Sequence, residues 1–297
     1  MSRLQANLIL ILVTFFWGAS YVFMKFALFQ LDALTVLAIR FDLALLIIGI
    51  FLGPKFIKTP LKTVIHGSLL GLILIGVFLF PLLGLRTTTP SQAGFLISLT
   101  MIFVPIELWL FKHQRVTSRE ALAIGLALIG VSFLTLHGSL KSFNIGDLWC
   151  LATGVLYAGH IILTAYFTQG ESPLQIGIWQ ITPASFVSTI IVLLNHHHFP
   201  LPTDTITWGA VLGLGFLCTA VGFMFQPLAQ KYTSPLNMGL IFSLEPLFSA
   251  GFSWLFFGEL FNKYELVGAM MILASILLMV FQHQSGHWKS SRFESQK

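Results

Sequence analysis

Several ionisable side chains of this chain stand in the middle of long apolar runs. Glu245, followed by Pro246, lies about nine residues into the run 236–257. At about 1.5 Å per residue that is about 14 Å deep, near the middle of a bilayer. A carboxylate at that depth is costly unless it faces a cavity or a partner. Pro246 has no N–H to return to the preceding turn, so it frees a carbonyl beside the carboxylate. A broken helix with an adjacent acid is suited to serve as a proton or substrate site. The competing reading is a structural anchor bonded to a neighbouring helix.

Arg40 lies at similar depth in the run 33–53. It is suited to binding a carboxylate, or to pairing with Glu245 or Asp42. Arg40 and Asp42 are two positions apart and point to different faces, so they are not an intrahelical pair. Lys25 is nearer the end of the first apolar run, where a cavity role competes with snorkelling to the headgroups. Glu107 reads as interfacial.

Polar stripes suggest which helices line a path. Thr153, Tyr157, His160 and Thr164 follow spacings of four, three and four, which is one helical face. Trp17, Tyr21 and Lys25 share a face, as do Thr219, Gly222 and Gln226, and Gln175, Trp179 and Thr182. The candidate substrate-binding set is therefore Trp17, Tyr21, Lys25, Arg40, Tyr157, His160, Gln226 and Glu245. Glu245 is also the candidate for proton coupling. For any single threonine the plainer reading is an interhelical hydrogen bond, worth about 0.6 kcal/mol. His196-His197-His198 has no acidic or cysteine partner nearby in sequence, so it reads as a solvated loop. No metal, cofactor or catalytic residue is expected.

The elements that must position these residues follow from composition. Of 297 residues, 56% are hydrophobic and 9% charged, with a mean hydropathy of +0.87. Soluble domains carry about 25% charged residues, so lipid must be the solvent for most of this chain. The net charge of +5 comes without a long basic run interleaved with aromatics, which sets nucleic acid aside. Cys150 and Cys218 fall inside apolar segments and imply no disulfide framework. The run from Leu8 to about Leu28 is too long for a signal peptide and reads as a first membrane helix.

About 20 apolar residues span a bilayer. Ten segments qualify: 7–28, 33–53, 65–85, 92–111, 119–137, 146–168, 175–194, 207–229, 236–257 and 263–282. Short connections carry turn formers such as Thr59-Pro60, Thr89-Pro90, Ser172-Pro173 and Ser234-Pro235. With the N-terminus inside, the inner loops and tails collect Arg3, Lys55, Lys58, Lys62, Lys112, Arg115, Arg119, Lys231, Lys289, Arg292 and Lys297. The outer loops hold Arg86, Lys141 and Lys263. That bias places both termini in the cytoplasm.

The two halves resemble each other. Gly67-Ser-Leu-Leu-Gly-Leu72 matches Gly209-Ala-Val-Leu-Gly-Leu214 at an offset of 142. Thr89 to Leu99 matches Ser234 to Leu244 at 145, as do Trp109-Leu110-Phe111 with Trp254-Leu255-Phe256 and Glu120 with Glu265. Five segments per half is an odd number, so the second half must enter the membrane upside down. The expected fold is an all-α membrane protein of ten transmembrane helices in two inverted five-helix repeats. These cover residues 1–140 and 141–283, followed by a disordered cytoplasmic tail over 284–297.

Taken in order, Trp17-Gly18-Ala19-Ser20 with Lys25, Arg40-Phe41, Ser91 to Leu96 with Phe103-Val104-Pro105, and Ser243-Leu244-Glu245-Pro246 with Gly258-Glu259 resemble the drug/metabolite transporter superfamily. The likeness is to its EamA-type branch of ten-helix permeases, over about residues 5 to 282. One departure is that Lys112-His113-Gln114-Arg115 stands where the second half has Gly258-Glu259. The resemblance implies a multi-pass permease of the cytoplasmic membrane, often an exporter of amino acids or related metabolites. Its partners are then the lipid bilayer and a small-molecule substrate, in a monomer or homodimer. No GxxxxGK[ST] motif occurs, which argues against direct use of ATP. The alternatives are an intramembrane enzyme, with Ser20 and His160 as its weak candidates and no HExxH, and a membrane sensor that transports nothing.

Overall fold

Backbone polar groups in lipid must be satisfied within the chain, and long apolar runs meet that demand as helices. The computed structural model describes residues 1–84, 87, 93, 96–135, 144–196, 200–258 and 263–282. They form α1 (Arg3–Ala27), α2 (Ala33–Ile57), α3 (Leu61–Gly84), α4 (Thr100–Lys112), α5 (Ser118–Thr135), α6 (Ile145–Gly170) and α7 (Pro173–His196). Next come α8 (Thr205–Gly213), a π-helical segment (Leu214–Val221) and α9 (Gly222–Gln230), which form one rod. After it stand α10 (Pro235–Phe242), α11 (Glu245–Phe257) and α12 (Lys263–Gln282). Seven stretches among the described residues are long and apolar enough to cross a membrane, including Thr205–Gln230 and Pro235–Phe256.

Local chemistry sets the helix starts. Ser2 and Gln5 form a reciprocal cap on α1, and Asn144 and Asp147 do the same for α6. Asp204 caps α8, and Ser234 caps α10 with Pro235 in the first turn. Two breaks interrupt the helices near Glu245 and Thr100. α10 ends at Phe242 and α11 begins at Glu245 because Pro246 cannot donate to the Phe242 carbonyl. α4 begins after Leu99, where Thr100 Oγ1 donates to the Ile97 carbonyl (2.7 Å) and to Gly154 (3.2 Å).

The helix pairings come in matched sets. α1 packs on α11 as α6 packs on α4, and α1 meets α9 as α6 meets α3. α2 lies against the π-helical segment as α7 lies against α3. α2 with α7 and α5 with α12 complete the bundle. Glycine permits close crossings: a Cβ on Gly18 would stand 2.5 Å from Phe248 Cβ on α11. Large apolar side chains such as Phe51 (76%) and Leu194 (74%) face outward, as lipid contact requires.

Candidate functional site

The break before α11 turns Glu245 inward at the head of a new helix. Its carboxyl group, with Pro246, Phe242 and Gly239, forms one wall of a cavity of about 20 Å³. Tyr21 of α1, Tyr157 of α6, and Ile97, Ser98 and Thr100 form the rest. That volume holds about one water molecule. The Tyr21 side chain faces Glu245 across it.

Aromatic rings build one side of the site. Trp17 packs against Phe242 (ring centroids 4.9 Å apart), Phe223 (5.1 Å) and Tyr157 (6.0 Å). Tyr157 stacks on Phe242 at 5.5 Å with the planes 5° apart. Trp17 is fixed by its Nε1–H, which donates to the Cys218 carbonyl at 2.8 Å. That carbonyl belongs to the π-helical segment, whose wide turn exposes backbone oxygens that an α-helix would occupy.

The same segment holds Arg40. Arg40 is 2% exposed, and its Nε donates to Thr219 Oγ1 at 3.0 Å. Thr219 in turn donates to Leu214 O at 2.8 Å, five residues back. The guanidinium lies over the Phe78 ring at 4.2 Å, which supplies a cation–π contact in place of water. Its Nη2 is buried with no hydrogen-bond partner. Arg40 and Glu245 lie within Coulombic reach of each other without forming an ion pair.

His160 lies one turn along α6 from Tyr157 and is fully buried. Gln180 of α7 spends its amide Nε2 on the Phe223 carbonyl (2.8 Å), which turns its oxygen toward His160 Nε2 (3.0 Å). His160 Nε2 is therefore the donor. Gln226 is buried on α9 and donates to Gln230 at 3.3 Å.

The predicted residues thus separate into groups. Tyr21, Tyr157 and Glu245 share the cavity, and Trp17 packs against its wall. Arg40 lies within Coulombic reach, and His160 and Gln226 continue away along α6 and α9. Lys25 is exposed in the last turn of α1. Asp42 turns away from Arg40 to α7, where Ser185 donates to one carboxylate oxygen and Thr189 to the other at 2.6 Å. A groove of about 540 Å³ lined by Leu45, Leu46, Gly49 and Ile50 opens beside it. Glu107 is half-buried near Gly159.

Sequence reasoning passed over Thr100, Gln180, Phe78 and Phe223. Thr100 is 145 positions before Glu245, so the repeat register alone could have found it. Gln180, a lone amide between Trp179 and Ile181 in mid-run, carried the general warning of a polar group at bilayer depth. The side chains of His196-His197-His198, Glu259 and Glu265, the loop cations Arg86 and Lys141, the stretch Thr89 to Gln92 with Gly94 and Phe95, and the tail 284–297 lie outside the described residues.

The family profile of EamA-like transporters matches residues 4–136 and again residues 144–281. The chain belongs to the EamA-like transporter family. It is a transporter rather than an enzyme, and a multi-pass membrane protein. An uncharacterized transporter of Archaeoglobus fulgidus is 28% identical over 93% of this chain and 86% of its own length. A protein of Salmonella typhimurium named as a probable amino-acid metabolite efflux pump is 26% identical over 95% and 96%. One crystal structure superposes with a TM-score of 0.79 at 16% identity, over 95% of this chain and 99% of that one, and shares the fold of this EamA-like chain.

Proposed function

We propose that this EamA-like chain is a secondary transporter that exports an amino acid or related small metabolite across the cytoplasmic membrane by alternating access. The observation that carries the reading is Glu245. It is a carboxyl group at a mid-membrane helix break, in a cavity with Tyr21 and Tyr157 and within Coulombic reach of Arg40. A zwitterion presents the complementary pair of charges, its ammonium to Glu245 and its carboxylate to Arg40. The rings of Trp17, Tyr157 and Phe242 supply apolar contact for the remainder. When no ammonium is bound, Glu245 takes a proton instead, and this exchange couples export to the proton gradient.

Ten spans in two inverted five-helix halves, with both termini cytoplasmic, give this motion its mechanics. The matched helix pairings and the paired breaks at Leu99 and Leu244 support that architecture. Rocking one half against the other exposes a midplane site to each side in turn. The halves divide near residue 140, and the unit is a monomer or homodimer.

Counterflow tests the reading. Purified protein in sealed vesicles, loaded with a mixture of amino acids and related metabolites, should exchange at least one of them in a protein-dependent way. Glu245→Gln should abolish or uncouple that exchange while folded yield stays near normal. Absence of exchange from the full mixture would sink transport, and an unchanged rate and pH-dependence in Glu245→Gln would remove the carboxyl from the mechanism.

A further inference from the structure

Buried polar atoms without partners are rare, and each one calls for an explanation. Four of them fall along a single seam. Tyr157 Oη, His160 Nδ1 and Thr164 Oγ1 on α6, and Gln226 Oε1 on α9, have no hydrogen-bond partner. Tyr157 is 7% exposed and the other three are not exposed at all. On α6 the spacings of three and four keep them on one face, running about 10 Å from the cavity. Gln230 closes the seam from α9: its Nε2 donates to the Ile161 carbonyl at 3.2 Å, and its oxygen accepts from Gln226.

Beyond Gln230 the stripe meets a second polar knot. Asn237 Nδ2 on α10 donates to Asn7 Oδ1 on α1 at 2.8 Å and to Thr233 Oγ1 at 2.7 Å. Thr233 also donates to Asn7 Oδ1, at 3.2 Å. Every group in the seam and the knot is a neutral hydrogen-bonding group. Such a surface solvates a passing polar solute without the fixed charge that would trap it. An apolar core gains nothing from four unpaired polar atoms in line with its polar cavity. A path that is closed in one state and wet in another requires them.

We propose that the seam between α6 and α9, from Tyr157 to Gln230, is the cytoplasmic half of the permeation path for a small polar or zwitterionic solute. It is shut in this structure by Gln230 and by the Asn7–Thr233–Asn237 knot. This rests on the orientation and the transport cycle proposed above.

Cysteine accessibility tests it without a known substrate. Thr164→Cys and Gln226→Cys are introduced separately after Cys150→Ala and Cys218→Ala. A membrane-impermeant methanethiosulfonate is then added to the cytoplasmic face of inside-out vesicles. Both cysteines should react at least about tenfold faster than Val155→Cys, which faces lipid, because thiol reactivity follows access to water. In a second arm, Asn7→Cys with Asn237→Cys is oxidised to a disulfide. That lock should suppress the labelling of Thr164→Cys, and a reductant should restore it. Rates no faster than Val155→Cys, reaction only from the outer face, or labelling indifferent to the lock would each overturn the proposal. Counterflow that fails while labelling succeeds overturns the transport reading and leaves the hydrated seam. Labelling that fails while counterflow succeeds overturns the seam alone.

Discussion

Thr100 and Glu245 stand 145 positions apart, each is the first residue of a 13-residue helix, and both line the same cavity. The two helices also end alike, in left-handed residues His113 (φ 50°) and Gly258 (φ 70°). At this shared position one half carries a hydroxyl whose proton is spent on Ile97 and Gly154, and the other a carboxyl group turned to the cavity. Thr100→Val should therefore cost about 1 kcal/mol of stability and keep counterflow, unlike Glu245→Gln. Thermal unfolding in detergent, followed by counterflow, measures both. Loss of transport in a well-folded Thr100→Val protein would show that the hydroxyl has a role in binding.

Gln180 serves two buried groups at once, His160 Nε2 and the Phe223 carbonyl. Gln180→Leu strands both, at about 1–3 kcal/mol each. The variant should unfold at a clearly lower temperature. Gln180→Glu keeps an acceptor for His160 but sets a carboxylate oxygen against the Phe223 carbonyl in a fully buried site, so it should be destabilised at least as far as the leucine variant. A leucine variant as stable as the wild type would contradict this account.

Thr219 is the hydrogen-bond acceptor that fixes Arg40. Removing it in Thr219→Val leaves a buried guanidinium with one contact fewer, at about 1.5–3 kcal/mol. Thr219→Ser preserves the oxygen and should restore both stability and counterflow. The serine and valine variants behaving alike would assign the effect to packing.

Gly18 sits where α1 crosses α11, with Phe248 Cβ and the Ser249 backbone nitrogen within 3.0 Å of any added Cβ. Gly18→Ala should lower stability by about 1–3 kcal/mol through forced separation of the two helices. Gly49→Ala, which meets open space, should stay within about 0.5 kcal/mol of the wild type. The pair is read by thermal unfolding in the same detergent.

Asp204 lies outside the membrane segments and caps α8, accepting from the Thr207 N–H at 2.7 Å and from the Thr207 hydroxyl at 2.9 Å. The Thr207 backbone N–H is the main cause that holds its pKa below the ordinary carboxylate value of 3.8. A depressed pKa means that its contribution is complete above 3.8 and lost as the pH falls through the lower, folded-state value. The stability gap between wild type and Asp204→Ala should therefore be constant near neutrality and close only in strong acid. A gap that already narrowed near neutral pH would point to a different titrating group.

The apolar runs were legible because length and composition alone decide that they become helices. The break at Glu245 was legible too, since Pro246 announces it. The matching break at Leu99 has no proline after it, and only the offset between the halves marks it. Spacings of four group Lys25 with Trp17 and Tyr21. Each such step drifts about 40° on a helix of 3.6 residues per turn, so two steps carry Lys25 about 80° from the face of Trp17. The alternating three and four of Tyr157, His160 and Thr164 cancels that drift. The Arg40–Thr219 bond joins residues 179 positions apart, which no local pattern encodes. Nor does Leu-Gly-Phe-Leu-Cys-Thr-Ala-Val announce a wide turn. Contacts from Trp17 and Arg40 hold that geometry in place.

That wide turn also sets a rotational phase. Each residue added to a helix swings everything downstream by about 100°. The direction in which Gln226 and Gln230 face is thus inherited from Leu214–Val221, two turns upstream. Shortening the segment by one residue would leave the composition of α9 intact and aim its glutamines at a different neighbour. The register of the rod, as much as the identity of its side chains, carries the specificity of the surface it presents to α6.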